Sequence, residues 1–118
     1  MTVFRWVLRG TFLLQLLLGI GLWTGSFDVV KPVHIAVGVL FVLTMWTIAA
    51  LALRAGGNQV HAGVVFLWGA LMILFGLTQE GVVTDGLHWT IQVFHLVVAM
   101  AGIGMTEALA GRTQAAAP

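Results

Sequence analysis

Two histidines lie where an ionisable group is most costly to keep. His34 sits in the run Pro32-Val33-His34-Ile35-Ala36-Val37-Gly38, and His95 in Val93-Phe94-His95-Leu96-Val97-Val98-Ala99. An ionisable side chain inside a long apolar segment faces a partner rather than lipid, so each imidazole asks what it is paired with. A neutral imidazole ligates a metal through one nitrogen and donates a hydrogen bond through the other. The two histidines together can therefore grip one metal centre from opposite sides.

Composition places them in a bilayer. Of 118 residues, 60% are apolar and 8% charged, too little polar surface to cover a water-soluble globule. Four apolar stretches, about Leu8 to Gly25, Val33 to Leu53, Val60 to Leu77 and Trp89 to Ala110, reach or approach the ~20 residues a helix needs to cross ~30 Å of hydrocarbon. The short connections leave no room for a soluble domain. The chain reads as one domain over residues 1–118, an all-α transmembrane four-helix antiparallel bundle running up-down-up-down. Without cysteine there is no disulfide, thiolate metal site, iron–sulfur cluster or thioether haem attachment. The net charge of +1 is scattered, with no basic patch for nucleic acid, so membrane lipid is the expected surrounding and nucleic acid is excluded as a partner.

The basic start, Met1 to Arg9, followed by an apolar run, has the outline of a signal peptide, but no A-x-A cleavage site follows and it is read as helix 1. Its Gly21 and Gly25 form a small-xxx-small pair that permits close packing. A turn from Ser26 to Lys31 leads to Pro32, suited to a first helical turn, so helix 2 is expected to start near His34 and to run to Arg54 before Gly56-Gly57-Asn58. Helix 3 begins near Val60. Helix 4 follows the loop Thr78 to Leu87 and runs from His88 to Ala110, and the tail beyond Gly111-Arg112 is expected to fray. Trp6, Trp23 and Trp89 read as interfacial anchors, Trp46 and Trp68 as packing inside the bundle. Arg5, Arg9, Arg54 and Arg112 fall on one side of the alternation and Lys31 on the other, which predicts a multi-pass protein of the inner (plasma) membrane with both termini cytoplasmic.

Helices 1 and 2 resemble helices 3 and 4, each half pairing a glycine-bearing helix with one built around His-(Ile or Leu)-x-Val. Both halves start on the same side, so they are related by an axis along the membrane normal. His34 lies 20 residues before Arg54, roughly 30 Å, and His95 lies 17 before Arg112, roughly 26 Å, so the two imidazoles sit at nearly one depth. On helix 4, His88, Gln92, His95, Ala99, Gly102 and Thr106 share a stripe, and on helix 2 His34, Gly38, Phe41, Met45 and Ala52 share another.

Two imidazoles with no carboxylate or thiolate beside them under-fill a zinc or copper shell. They do fill the two axial positions that a porphyrin leaves on iron. The expectation is one non-covalent haem b per chain, six-coordinate and suited to one-electron transfer, with His34 and His95 as metal ligands and no catalytic residue. Gly38 and Ala99, four residues after each histidine, would leave room for a flat ring, Gln92 shares its stripe, and Lys31 and His88 would meet the propionates at the outer rim. His88, roughly 36 Å from Arg112, is the alternative ligand to His95. His61, at the opposite end of helix 3, is out of reach and reads as interfacial; Glu107 is expected to pair with Arg54 or His61. Gln15 and Gln92 read either as donors to a ligand or as bonds between helices.

Leu14-Gln15-Leu16-Leu17-Leu18-Gly19, the histidine early in helix 2, Trp68-Gly69-Ala70 and Ile91-Gln92-Val93-Phe94-His95 resemble one four-helix half of the haem A synthase family. The resemblance implies a bundle holding one b-type haem between the histidines of helices 2 and 4, here His34 and His95. The glutamate that the family carries four residues before the helix 2 histidine is Val30 here, the outer-loop cysteine pair is absent, and one half is present where the family has two. A small di-histidine membrane cytochrome is what the resemblance implies, rather than oxidation of a haem methyl group.

The leading reading is thus an integral membrane electron carrier that serves a quinone or a redox protein, with a homodimer permitted by its glycine-lined helices. Two alternatives stand beside it. A haem-handling or assembly protein would release haem readily to an acceptor, and a haem-free accessory subunit would use its histidines and glycines only for packing.

Overall fold

A computed structural model describes residues 1–25 and 27–118 as four long helices. They are α1 (Thr2–Trp23), α2 (Phe27–Arg54), α3 (Gln59–Thr78) and α4 (His88–Ala115), with a single 3₁₀ turn at Gln79–Gly81. All four are long and apolar enough to cross a membrane. They form an antiparallel bundle 52 Å long and 23 by 16 Å across.

Helix ends follow local chemistry. Gly56 takes φ +77° just past α2, and the amides of Gly56 and Gly57 bond back to the carbonyls of Leu53 and Ala52. This left-handed close satisfies carbonyls that would otherwise be orphaned, and a side chain there would strain it. Asn58 caps α3, its side chain accepting from the His61 amide at 2.8 Å.

Two boundaries differ from expectation. The turn expected over Ser26 to Lys31 is not one: Ser26 lies outside the described residues, and helix α2 already begins at Phe27, with Pro32 inside it. Proline offers no N–H to the carbonyl of Asp28, but Asp28 is exposed at the end of the bundle, where water or headgroups can satisfy that carbonyl. The tail does not fray at Gly111 either. Helix α4 continues to Ala115 because Thr113 is buried and Gln114 is held by Arg5 and by the Thr2 hydroxyl.

Sequence neighbours pack side by side, α1 also meets α4, and α2 touches α4 across the bundle. Small residues make that crossing possible: Gly102 of α4 meets the side chains of Met45 and Met72, and Ala49, Ala52 and Ala110 are fully buried. Trp46 donates from α2 to the Phe66 carbonyl at 3.1 Å, and Trp68 from α3 to the Val98 carbonyl at 2.9 Å. Both deep tryptophans therefore pack in the bundle with their N–H groups satisfied, as expected. The buried hydroxyls of Thr106 and Thr113 bond to carbonyls of their own helix four residues back.

The internal repeat is visible in burial. Shifting α4 back by 61 residues carries His95 onto His34 and carries its buried residues Gly102, Thr106, Leu109, Ala110 and Thr113 onto Phe41, Met45, Ile48, Ala49 and Ala52, all buried in α2. The core is nonetheless lopsided. Among the described residues, none of α1 beyond Thr11, of α2 before Phe41, of α3 beyond Met72 or of α4 before Gly102 is buried. One end of the bundle, carrying the arginines and both termini, is solid; the other, carrying His34 and His95, is hollow.

An ion cluster closes the solid end. Glu107 of α4 accepts from Arg5 at 2.6 Å and from Arg9 at 2.8 Å, both on α1. Glu107 is expected to pair with Arg54 or His61; it meets instead two guanidiniums of α1, which packs against α4 at this end. His61 bonds through Nε2 to the Met105 carbonyl at 2.9 Å.

Candidate functional site

A cavity of about 230 Å³ occupies the hollow end, lined by residues of all four helices. It exceeds the roughly 150 Å³ of an engineered cavity that binds benzene. The contributing positions repeat at helical spacing: Phe12, Gln15 and Gly19 on α1; His34, Gly38 and Phe41 on α2; Met72 and Gly76 on α3, with Gln79 in the 3₁₀ turn that follows; Gln92, His95 and Ala99 on α4. Each set follows one face of its helix. The cavity is not sealed, because Ile20 and Leu77 line it while more than half exposed.

The two imidazoles face this space with ring centroids 6.3 Å apart and planes inclined at 52°. Each is set against a glycine of the preceding helix: a Cβ on Gly19 would lie 3.7 Å from His34 Cε1, and one on Gly76 would lie 3.5 Å from His95 Cε1. The pairing is the repeat expressed at the site. Phe75 packs beside His95 at 5.7 Å between ring centroids, and Phe12 and Phe41 lie 6.0 Å apart on the side towards the solid core.

Among the described residues, four side-chain polar atoms are buried with no hydrogen-bond partner: Nδ1 of His34, Nδ1 of His95, Oε1 of Gln15 and Oε1 of Gln79. All four residues line this one cavity. Elsewhere buried polar groups find partners, as native interiors require. Unmet hydrogen-bonding capacity is thus concentrated in a single apolar chamber.

The residues singled out from sequence divide cleanly. His34, His95, Gly38, Ala99 and Gln92 come together on the cavity wall. Lys31 and His88 do not. The Lys31 ammonium pairs with Glu80 at 2.8 Å, joining α2 to the turn after α3, and His88 Nδ1 turns to the carbonyls of Val82 and Val83 at 3.2 and 3.1 Å. Gly38 serves a neighbour other than the one expected: a Cβ there would stand 2.7 Å from Gln15 Nε2, so the notch holds the Gln15 amide. The sequence reading does not include Gln79, whose spacing of three from Gly76 and seven from Met72 continues the cavity face of α3 into the turn that follows it.

The arrangement suits a metal that brings most of its own ligands. Among the described residues no three of His, Asp and Glu converge, so a bare ion would lack a shell. A metal–imidazole bond is about 2.0–2.1 Å. With about 1.2 Å from each bonded nitrogen to its ring centre, two imidazoles on opposite sides of one metal have centroids about 6.4–6.6 Å apart. The observed 6.3 Å falls about 0.1 Å short of that range. No protein family, no curated protein and no solved structure matches the chain.

Proposed function

We propose that the chain is an integral membrane b-type haem protein in which His34 and His95 are the axial ligands, and that it passes single electrons. The observation that carries this reading is the facing pair of imidazoles, one from each repeat, at 6.3 Å in a chamber that also holds every buried unpartnered side-chain polar atom of the described residues. Haem, held by His34 and His95, would supply a reversible one-electron iron couple. The protein's residues do the rest. The solid packing of α2 on α4 below the cavity sets the spacing of the two histidines, Gly19 and Gly76 let the rings lie close to their neighbouring helices, and the walls are mostly apolar.

A quinone or a redox protein is the partner class this chemistry calls for. The arginines at the solid end support cytoplasmic termini in a plasma membrane, with the cavity towards the opposite face. The test is a visible spectrum of the detergent-purified protein, oxidised and then dithionite-reduced, beside His34→Ala and His95→Ala. Sharp α and β bands in the reduced protein, lost in either variant, are expected. A protein that stays colourless when haem is offered overturns the reading.

A further inference from the structure

The four unpartnered atoms are not four of a kind. An imidazole whose one nitrogen binds a metal carries its proton on the other, which is then a donor, and a ligating histidine commonly gives that proton to an acceptor that fixes the ring and raises its basicity. The two glutamine oxygens are acceptors only. The cavity therefore contains two prospective donors and two acceptors, with one glutamine on each helix that precedes a histidine: Gln15 on α1 before His34, and Gln79 at the end of α3 before His95.

The contacts bring each glutamine close to its histidine. Gly19 and His34 meet at one level of the α1–α2 pair, and Gln15 and Gly38 meet one turn below, so Gln15 lies one turn nearer the solid end than the His34 ring across the same helix contact. One turn is about 5.4 Å, within the sweep of a glutamine side chain. In the other half, Gly76 abuts His95, and Gln79 stands three residues on, along the same face.

We propose that Gln15 and Gln79 are positioning residues that accept the Nδ1 protons of His34 and His95 and thereby set the basicity of both axial ligands. This rests on the haem reading above. An accepted hydrogen bond gives the imidazole anionic character, which favours the ferric ion and lowers the midpoint potential. Gly38 belongs to the same device, since only a residue without a Cβ leaves the Gln15 amide its notch.

The experiment is a spectroelectrochemical titration of the full chain, purified in detergent and loaded with haem, for the wild type, Gln15→Leu, Gln79→Leu and Gln15→Glu. Each leucine variant is expected to raise the midpoint potential while keeping the six-coordinate spectrum, and Gln15→Glu, with a stronger acceptor, to lower it. Charge and polarity move a potential without touching the ligand, so the ferric EPR g values, which follow the anionic character of the imidazoles, are read beside it: they move in all three variants if the glutamines bond the rings and stay at wild type if they only pack. Wild-type potentials in all three variants, or shifts of one sign from Gln15→Leu and Gln15→Glu, overturn the assignment while leaving histidine ligation standing. Should Gln15→Leu fail to fold, the g values of Gln15→Glu, read beside its potential, decide for Gln15. Failure of the wild type to take up haem overturns the functional reading and this inference with it, and the spectrum distinguishes that result from the others.

Discussion

Gly69→Ala tests whether the solid half of the bundle is as tightly fitted as its contacts indicate. A Cβ at Gly69 would stand 2.5 Å from Trp46 Nε1, 2.9 Å from Val42 Cγ1 and 3.2 Å from Trp46 Cδ1. Neither neighbour yields freely. Val42 is a β-branched residue 2% exposed, and the Trp46 indole is held by its bond to the Phe66 carbonyl at 3.1 Å. Forcing the ring away costs about 1–3 kcal/mol as overpacking, and losing the indole hydrogen bond costs about 0.5–1.5 kcal/mol. Alanine's better helix propensity returns about 1 kcal/mol, so the net destabilisation is about 0.5–3.5 kcal/mol. Gly63, on the same helix, has nothing within 4 Å of its Cβ position, and Gly63→Ala is expected to be neutral or stabilising by up to about 1 kcal/mol. Thermal unfolding of both variants in one detergent, followed by circular dichroism and tryptophan fluorescence, measures the difference. If Gly69→Ala unfolds at or above the temperature of Gly63→Ala, the packing argument for the α2–α3 contact is wrong.

Other substitutions separate structural from site residues. Gly38→Ala is expected to have a small effect on stability, because the atom it meets is the end of a flexible glutamine, yet to displace Gln15 and move the potential of the loaded protein in the direction of Gln15→Leu. Glu107→Ala removes the partner of both Arg5 and Arg9, and is expected to lower the unfolding temperature and speed hydrogen exchange in α1 while leaving the visible spectrum unchanged. Lys31→Ala breaks an exposed pair worth about 0–1 kcal/mol, and neither it nor His88→Ala should shift the spectrum or the retention of haem, since both residues lie off the cavity; loss of haem from either would restore them to the site.

The fold was legible because the strongest signal in the chain is also the one that decides it. Four runs of apolar residues of membrane-spanning length admit little besides a helical bundle. The stripes of α2 and α4 were legible for a related reason: a polar or small residue every three or four positions has only one face to point to, and Gln92, His95 and Ala99 do share the cavity wall, as do His34, Gly38 and Phe41. What periodicity does not carry is the identity of the partner. Glu107 found Arg5 and Arg9 because α1 closes the bundle against α4, a tertiary fact with no trace in the residues around Glu107. Gly38 admits a bulky neighbour in any reading, and only the position of Gln15 across the α1–α2 contact decides which. The start of α2 was misplaced because proline is disfavoured inside a helix by local rules, and those rules lose force where the orphaned carbonyl lies near a polar surface.

The lopsided core follows from one choice repeated twice. Below the cavity, each repeat presents alanine, glycine, threonine or other close-fitting residues to the opposite repeat, so α2 and α4 can touch across the bundle. At the histidine level the facing positions carry imidazoles, and the glycines lie beneath them on the neighbouring helices rather than opposite them. Small residues so placed let the rings lean outward onto α1 and α3 and leave the centre free. Had the same glycines faced each other across the axis, the helices would close and the chamber would vanish. A sequence selected only for packing would gain from filling that space, because a void forfeits the contacts of its lining. The chain instead puts two imidazoles and two glutamine amides there, in the half of the molecule with the least burial to offset them, which is the pattern of a site prepared for an occupant.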